Sequence, residues 1–343
     1  MNCLDNVLIT GCAGFIGAAL TEKFLINGIN VVGIDNLNSY YDLDLKKARL
    51  RNIEENSNNK RLFSFYQVDL EDKLKLEEIF QIHKISIVVH LAAQAGVRYS
   101  LKNPYEYIDT NVMGFLNILE GSKRNNIKHL LYASSSSVYG GNENIPFKES
   151  SGVDHPVSLY AASKKSNEMM AHVYSHLYSL PTTGLRFFTV YGPWGRPDMA
   201  LFLFTKAIFA EKPIEIFNNG DMIRDFTYID DITETLVRLL DKPPVMNNNF
   251  NRNNPDPSNS WAPYKLFNIG NSSPVSLMRY ISALEDAIGK TAKKIFLPMQ
   301  PGDVKTTSAC TKSLEEYIDF KPQTSIQKGI DEFISWYKDF YSV

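Results

Sequence analysis

The sequence predicts an α/β protein with a doubly wound parallel sheet in its N-terminal part and a smaller, mixed α/β domain in its C-terminal part. Three observations predict this class. Short apolar runs alternate with amphipathic stretches through the first half, as in βαβ units. A glycine-rich turn, Gly11-Cys-Ala-Gly-Phe-Ile-Gly17, joins the first apolar run to the first amphipathic stretch. The second half is less regular.

The elements follow in order along the chain. The expected strands are Asn6–Thr10, Asn30–Ile34, Leu62–Val68, Ile87–Leu91, Lys128–Ser134 and Thr182–Phe187. The expected helices are Gly14–Asn27, Lys73–His83, Pro104–Asn125 and Ser158–Tyr178, then Met199–Glu211, Asp230–Leu240, Ser276–Gly289 and a last helix on the apolar stripe of Ile326, Ile330, Phe333, Ile334 and Tyr337. Right-handed crossovers between such strands give a Rossmann sheet.

The chain length of 343 residues suggests two domains. We expect a nucleotide-binding Rossmann domain over residues 1–188 and a substrate domain over residues 189–343, with the segment near 224–241 packing back onto the first. The Asn-rich stretch between Pro243 and Pro263 is expected to be a loop, with a mobile cover over the substrate as one interpretation.

The composition excludes several classes of protein. A net charge of −2 gives no basic excess for nucleic acid, and no apolar run approaches membrane-spanning length. Cys3, Cys12 and Cys310 are scattered and form neither a disulfide framework nor a metal site. With no signal peptide recognised at the start, we expect a cytoplasmic protein without a metal, a membrane partner or a nucleic-acid partner.

The glycine-rich turn predicts a dinucleotide site. Gly11, Gly14 and Gly17 allow a tight turn, and the helix start at Phe15 and Ile16 offers backbone N–H groups to a pyrophosphate. Two carboxylates follow at the ends of the next two strands. Asp35 suits the adenosine ribose hydroxyls and would repel a 2′-phosphate, so NAD is favoured over NADP, and Asp69 is placed to reach the adenine edge. The alternative is a glycine-rich turn with a surface aspartate.

A possible acid/base unit lies farther along the chain, at Tyr160-Ala-Ala-Ser-Lys164. On a helix this offset places both side chains on one face, and the ammonium would lower the pKa of the phenol. A Tyr/Lys pair alone is more often a solvated face. However, Ser134-Ser-Ser-Ser137 follows an apolar strand, at the sheet edge where such proteins bind ligands.

With these motifs the chain resembles the extended short-chain dehydrogenases/reductases that act on nucleotide sugars. The resemblance covers nearly the whole chain. The matching segments are Gly11–Gly17, Asp35-Asn-Leu37, His90-Leu-Ala-Ala93, Asn111-Val-Met-Gly114, Ser135 with Tyr160 and Lys164, Arg186-Phe-Phe-Thr189, Arg224-Asp-Phe-Thr-Tyr-Ile-Asp-Asp231 and Pro301-Gly-Asp303.

The resemblance implies a role for each matching residue. Ser135 would orient the sugar 4-hydroxyl, Tyr160 would be the base, and Lys164 would tune the tyrosine and hold the nicotinamide ribose. Arg224 would bind the substrate pyrophosphate and Asp303 a uridine ribose hydroxyl. The remaining cofactor contacts would be Asn36, Leu70, Leu91, Ala92, Ala93 and Asn111.

The residues beside the serine indicate the reaction. Within the resembled family, dehydratases carry an Asp-Glu pair there and the related decarboxylases a glutamate, whereas this chain has Ser136 and Ser137. Epimerisation needs no further acid. The resemblance therefore implies transient oxidation at carbon 4, rotation of the 4-keto sugar and return of the hydride to its other face.

Several departures from the hexose epimerase pattern indicate the sugar. Thr189 stands where Asn is usual, Gln300 where Arg is usual, and Thr307 where many carry a bulky tyrosine. Arg196 follows the strand that lines the sugar site, and with Thr189, Ser136 and Ser137 it would surround a carboxylate. The alternative is a loop arginine paired with Asp198.

Three further segments, His90–Arg98, Tyr40-Tyr-Asp42 and Ser260-Trp-Ala-Pro-Tyr264, resemble UDP-glucuronate 4-epimerases in particular. The expected reaction is interconversion of UDP-glucuronate and UDP-galacturonate with NAD, and the resemblance includes Arg98 in the substrate site. Epimerisation of a neutral or N-acetylated UDP-hexose stays open, as does a non-catalytic NAD-binding regulator. A homodimer is expected through the apolar faces of Pro104–Asn125 (Tyr105, Ile108, Met113, Leu116, Leu119) and Ser158–Tyr178 (Met169, Met170, Val173, Leu177).

Overall fold

The structure is a computed structural model that describes residues 6–56, 60–300 and 303–343. Met1–Asp5, with Cys3, and Pro301-Gly302 of the predicted Pro-Gly-Asp motif lie outside the described residues. The strands are β1 Asn6–Thr10, β2 Asn30–Asp35, β3 Phe63–Gln67, β4 Ile85–His90, β5 His129–Ser135, β6 Thr182–Phe187, β7 Thr189–Tyr191, β8 Ile214–Ile216, β9 Ile223–Tyr228, β10 Tyr264–Ile269, β11 Pro274–Ser276 and β12 Lys294–Phe296. The helices are α1 Phe15–Ile26, α2 Leu43–Asn56, α3 Lys73–His83, α4 Gly114–Arg124, α5 Leu159–Tyr178, α6 Ala200–Phe209, α7 Ile229–Leu240, α8 Leu277–Ile288, α9 Lys312–Ile318 and α10 Ile326–Tyr341.

The main sheet is parallel and has the strand order β10-β6-β5-β4-β1-β2-β3. Its six predicted strands are all present, with ends within two residues of those expected. Helices cover both faces, and the buried apolar residues form a separate cluster on each side. The order reverses between β1 and β4, which opens a crevice at the carboxyl ends of these strands.

The main sheet is not confined to residues 1–188. β10 comes from the later part of the chain and pairs in parallel with β6. Helix α7, within the segment expected to pack back, lies against α1. The functional division of the chain into residues 1–188 and 189–343 remains a prediction.

The later part of the chain also forms two small sheets, β11-β9-β7 and β12-β8. The pairs β7–β9 and β12–β8 are parallel, whereas β11 runs antiparallel to β9. This is the smaller mixed α/β part that the sequence predicts, and it lies beside the carboxyl ends of β5 and β6 because β7 follows β6 after a single residue.

Two helical segments differ from the expectation. Helix α2 was not predicted, although it supplies buried residues to the interior. The expected helix Pro104–Asn125 is divided into a π-helical segment, Tyr107–Met113, and α4. The wider π turns turn Tyr107 and Asn111 toward the loop after β4, where the Tyr107 hydroxyl donates to the Ala95 and Gly96 carbonyls at 2.8 and 2.6 Å.

No helix among the described residues is long and apolar enough to cross a membrane.

Candidate active site

A cavity of about 1050 Å³ runs along the carboxyl ends of the central strands. It brings together most of the predicted site residues. Those lining it are Gly11, Gly14, Phe15, Ile16, Gly17, Asp35, Asn36, Asp69, Leu70, Leu91, Ala92, Ala93, Arg98, Ser135, Ser136, Ser137, Tyr160, Lys164, Thr189, Arg196 and Asp303. Asn111 and Arg224 do not line the cavity.

The glycine-rich turn fits the pyrophosphate of a dinucleotide. Gly11 has a φ of +74°, which favours glycine. A Cβ on Gly17 would lie 2.0 Å from the Gly11 carbonyl oxygen, so α1 packs against the turn more closely than any side chain permits. The N–H groups of Phe15 and Ile16, in the first turn of α1, have no intrahelical acceptor and face the same cavity.

Asp35 is held where a ribose would lie. Its Oδ1 accepts the Leu37 N–H at 2.8 Å and its Oδ2 the Ala13 N–H at 3.2 Å, which orients the carboxylate. Beside it, the Asn36 amide donates to Asp69 Oδ1 at 2.7 Å. These side chains fix one another, so the edge of the cavity is built before a nucleotide arrives. The residues fit NAD.

Asn111 has a different place from the predicted one. It is buried, and its side-chain oxygen accepts the Gln94 N–H at 2.8 Å. Its amide nitrogen donates to the Gln94 carbonyl at 3.0 Å and to Ser163 Oγ at 3.1 Å. All polar atoms of the Asn111 side chain therefore have protein partners. These hydrogen bonds tie the loop after β4 to α5.

Ser135, Tyr160 and Lys164 meet at the centre of the cavity. β5 ends at Ser135, whose Oγ accepts the Ser137 N–H at 3.1 Å and also forms a hydrogen bond with Tyr160. Tyr160 and Lys164 lie one turn apart at the start of α5, which Ser158 caps. The Lys164 ammonium donates to the Ala133 carbonyl at 2.9 Å and anchors α5 to β5.

The titration of this group differs from the prediction. Burial raises the pKa of Tyr160 above its ordinary value, while the hydrogen bond with Ser135 and the charge of Arg196 oppose this shift. Burial lowers the pKa of Lys164 to about 8. The expectation that Lys164 brings the pKa of Tyr160 below its ordinary value is therefore wrong for the protein without ligands, because desolvation exceeds the effect of nearby charge.

Arg196 reaches the same centre from the loop after β7. It lines the cavity with Thr189, Ser136 and Ser137. It also forms the alternative pair, because its Nε donates to Asp198 Oδ1 at 3.0 Å. Burial lowers the pKa of Arg196, but the Asp198 carboxylate more than offsets this and holds it above its usual range. Arg196 is thus an ionised group that faces Tyr160 and already has a carboxylate partner.

A second charged group lies at the other end of the cavity. Arg98 donates to Asp303 Oδ2 at 2.9 Å, and its guanidinium lies 5.1 Å from the centre of the Phe217 ring. Arg224 is close enough to feel both charges: burial lowers its pKa, Asp303 opposes this and Arg98 adds to it. Its guanidinium donates to the Ile223 and Lys305 carbonyls, which holds it beside the cavity.

Helix α2 contributes residues that were not predicted. Lys46 lines the cavity and donates to the side-chain and backbone oxygens of Asn38 at 2.8 and 2.9 Å. Arg49 lies one turn farther along α2. Just before the helix, the Tyr40 hydroxyl donates to Asp198 Oδ2 at 3.2 Å. The sequence signal for this group is weak: Lys46 and Arg49 stand at i and i+3, each directly after a buried apolar residue, Leu45 or Ala48.

Two other expectations concern segments away from the cavity. No residue between Pro243 and Pro263 lines it; instead Trp261 donates to His176 Nδ1 at 3.0 Å on the outer side of α5. The interpretation of this stretch as a cover over the substrate is therefore wrong. Thr307, which stands where many hexose epimerases carry a bulky tyrosine, is buried and does not line the cavity.

Within the described part of the chain, no three His, Cys, Asp or Glu side chains are grouped so that they could hold a metal ion.

Comparison with known proteins identifies the family. Residues 7–251 match the model described as the NAD dependent epimerase/dehydratase family. The chain belongs to this family. The predicted fold class, the relationship to nucleotide-sugar epimerases and the NAD cofactor are thereby confirmed.

The relatives in this epimerase/dehydratase family cover almost the whole chain. It is 55% identical to Protein CapI of Staphylococcus aureus, over 98% of this chain and 99% of that protein. It is 46% identical to the probable UDP-glucuronate 4-epimerase of Rhizobium meliloti, over 97% of each. The solved UDP-glucuronic acid 4-epimerase of Bacillus cereus, in complex with UDP-glucuronic acid and NAD, is 33% identical, covers 98% of this chain and 100% of its own, and superposes with a TM-score of 0.86.

Proposed function

We propose that this NAD-dependent epimerase interconverts UDP-glucuronate and UDP-galacturonate. The observation that carries the proposal is Arg196, which lines the same cavity as the catalytic tyrosine and whose charge opposes the rise that burial causes in the pKa of Tyr160. Thr189, Ser136 and Ser137 line the same part of the cavity. A guanidinium among three hydroxyls suits a carboxylate, which glucuronate carries and glucose does not. The names of the relatives agree with this sugar.

The residues divide the reaction between them. NAD, when bound, accepts a hydride from carbon 4 and returns it. Ser135, already bonded to Tyr160, orients the 4-hydroxyl, and Tyr160 accepts its proton as the 4-ketone forms. After the sugar has rotated, Tyr160 gives the proton back. Because burial raises the pKa of Tyr160, formation of its phenolate depends on nearby positive charge, such as that of Arg196. By the role that the resemblance implies, Lys164, one turn along α5, adds to this charge.

The residues that follow Ser135 favour epimerisation over elimination of water or loss of CO₂. The two residues after Ser135 are Ser136 and Ser137, which line the cavity with hydroxyls where the family's dehydratases and decarboxylases carry acids. The 4-ketone of glucuronate is a β-keto acid, which loses CO₂ when its carboxylate is poorly solvated and turned out of the carbonyl plane. Hydrogen bonds from Arg196 and the hydroxyls stabilise the charged carboxylate and restrict this rotation.

An arginine comparison tests the carboxylate site. Arg196→Ala removes a charge-assisted hydrogen bond of roughly 1.5–3 kcal/mol, so UDP-glucuronate should bind about ten- to a hundredfold more weakly while UDP-glucose changes little. Arg224→Ala is the matched control, because loss of the diphosphate contact that the resemblance implies for Arg224 should weaken both sugars alike. Dissociation constants measured by calorimetry decide the outcome. Equal weakening of both sugars by Arg196→Ala would remove the support for UDP-glucuronate.

The homodimer belongs to this proposal as well. Tyr105, Ile108 and Met113 before α4, and Met169, Val173 and Leu177 on α5, are between 46 and 78% exposed. Leu119, expected on the same face, is buried in the core. We propose that a second copy covers this apolar face. Met169→Lys with Leu177→Lys should halve the mass in light scattering, whereas Leu74→Lys, an 80% exposed control on α3, should leave it unchanged.

A cytoplasmic location is also part of the proposal. It is supported by the free thiols of Cys12 and Cys310, since exported proteins more often pair their cysteines. Detection of the protein in the soluble fraction of cells, with its thiols reduced, tests it.

A further inference from the structure

Arg49 is a buried cation whose hydrogen-bond partners are neutral. It lies on α2 and is 1% exposed. Arginines are rarely so deeply buried without a carboxylate partner, because removing the charge from water is costly. The guanidinium of Arg49 instead forms five hydrogen bonds to three carbonyls and one hydroxyl. Burying this cation among neutral partners costs folding free energy, which indicates that the connections made by its hydrogen bonds are needed.

The five bonds join three separate segments. One terminal nitrogen donates to the Ala13 carbonyl at 2.9 Å and to the Tyr41 hydroxyl at 2.7 Å. Nε and the other terminal nitrogen donate to the Trp194 carbonyl at 3.1 and 2.7 Å, and the latter also reaches the Gly195 carbonyl at 3.2 Å. Ala13 belongs to the glycine-rich cofactor turn, and Gly195 precedes Arg196. One side chain therefore connects the cofactor turn to the loop that carries Arg196.

The backbone at Trp194 gives an independent indication of constraint. Its φ is +61°, a conformation that costs a bulky residue on the order of 1–3 kcal/mol. Such a conformation persists only where surrounding contacts enforce it. Arg49 donates twice to the Trp194 carbonyl, and the indole ring lies 5.2 Å from Trp336 and 5.1 Å from Phe340 of α10.

Tyr40, the residue before Tyr41, holds the same loop on the other side of Arg196. Tyr40 donates to Asp198, and Asp198 pairs with Arg196. Burial, followed by the charge of Asp198, raises the pKa of Tyr40 to about 12, so the phenol keeps the proton it donates. The loop is thus fixed on both sides of Arg196: Arg49 binds the residues just before it, and Tyr40 binds Asp198 just after it.

We propose that Arg49 is a positioning residue for sugar selection. It holds Trp194–Arg196 against the cofactor turn and thereby fixes where Arg196 meets the carboxylate of the substrate. Arg49 itself does not line the cavity and acts through Arg196. This inference rests on the proposed function and on the role given there to Arg196.

A double-mutant cycle tests the coupling. Dissociation constants for UDP-glucuronate and UDP-glucose are measured for the wild type, Arg49→Met, Arg196→Ala and the double variant, all with bound NAD. Arg49→Met should lower the preference for UDP-glucuronate about tenfold, the size that coupled residues reach. In the Arg196→Ala background it should change the preference no further. Arg238→Met, an exposed arginine on α7, is the control and should leave the preference unchanged.

Other outcomes overturn the inference. If Arg49→Met weakens both sugars equally, or lowers the preference by the same factor in both backgrounds, Arg49 has a structural role only. If Arg49→Met does not fold, Arg49→Lys carries the same cycle, since it keeps the cation but cannot reach three segments at once; a wild-type preference then contradicts the proposal. A wild type with no preference for UDP-glucuronate overturns the proposed function together with this inference, whereas an additive cycle overturns this inference alone.

Discussion

Lys164 is 2% exposed, and its ammonium donates to the Ala133 carbonyl while burial lowers its pKa to about 8. A cation in this position is unfavourable for the folded state and useful for the reaction. Burial likewise disfavours the ionised form of Tyr160, since it raises the pKa of the phenol. The two side chains are thus arranged for chemistry at a cost in stability, which is common at active sites.

Tyr160→Phe should reduce turnover by about 10²–10⁴-fold, the usual contribution of a positioned acid/base group. Binding of the UDP-sugar should change little, because the ring remains. Steady-state rates and calorimetric affinities measure both effects. Tyr178→Phe, at the end of the same helix, removes an exposed hydroxyl and should leave the rate unchanged. A near-normal rate for Tyr160→Phe would exclude this residue as the base.

Lys164→Met should abolish most activity and yet stabilise the fold by roughly 1–3 kcal/mol at pH 7. Below about pH 8 the lysine is charged in both the folded and the unfolded chain, so the folded state bears the whole burial penalty. As the pH rises from 8 toward the ordinary value of 10.5, the folded wild type releases the proton and the advantage of Lys164→Met should shrink.

Urea unfolding of nucleotide-free protein across this pH range measures the difference. Lys206→Met, at an exposed position of α6, is the control and should show little effect. A destabilised Lys164→Met at pH 7 would show that the bond to Ala133 outweighs desolvation.

Helix α5 is fixed to the sheet by an ion pair one turn beyond Lys164. Glu168 and Arg186 on β6 have side chains that are 1% and 0% exposed, and Arg186 donates to both carboxylate oxygens, at 2.8 and 2.9 Å. Ser134 also donates to Glu168, at 2.7 Å. Glu168 therefore ties the helix that carries Tyr160 to β6 through Arg186, and to β5, which ends at Ser135, through Ser134.

Glu168→Gln should cost about 3–5 kcal/mol, because it removes the carboxylate that is hydrogen-bonded to the buried guanidinium of Arg186. Glu234→Gln is the matched control. It breaks the exposed pair of Glu234 and Arg238, for which less than about 1 kcal/mol is expected. Denaturant midpoints at constant slope measure both. Equal losses in the two variants would show that burial does not govern the strength of the Glu168 pair.

The elements themselves differ in how far the sequence predicts them. β1, the glycine turn and α1 follow from local rules, since a tight turn needs glycine and a buried strand needs an apolar run. Helix α2 was missed because charged residues occupy much of it, and its buried Lys46 and Arg49 resemble a solvated face. Arg49 is satisfied by Trp194, which lies 145 residues later in the chain. A local sequence pattern around Arg49 cannot predict a hydrogen-bond partner at that distance in the chain.

At the scale of the whole molecule, the cavity joins segments from both parts of the chain. Strand β10 returns to the main sheet from residues 264–269, and the loop after β7 brings Arg196 opposite Tyr160. The spacing of motifs predicts which residues contribute, because parallel strands end at one edge. It does not predict pKa directions, since these depend on how completely the fold removes Tyr160 and Lys164 from water.

The proposed reaction requires that the 4-keto sugar rotate within the cavity and keep its carboxylate at carbon 6. The most direct measurement is incubation of the purified protein with UDP-glucuronate, followed by chromatographic separation of the UDP-sugars. We expect UDP-galacturonate to accumulate to a constant ratio, reached also from UDP-galacturonate, with no UDP-pentose and with no conversion of UDP-glucose. Conversion of UDP-glucose to UDP-galactose with UDP-glucuronate left unchanged would contradict the account.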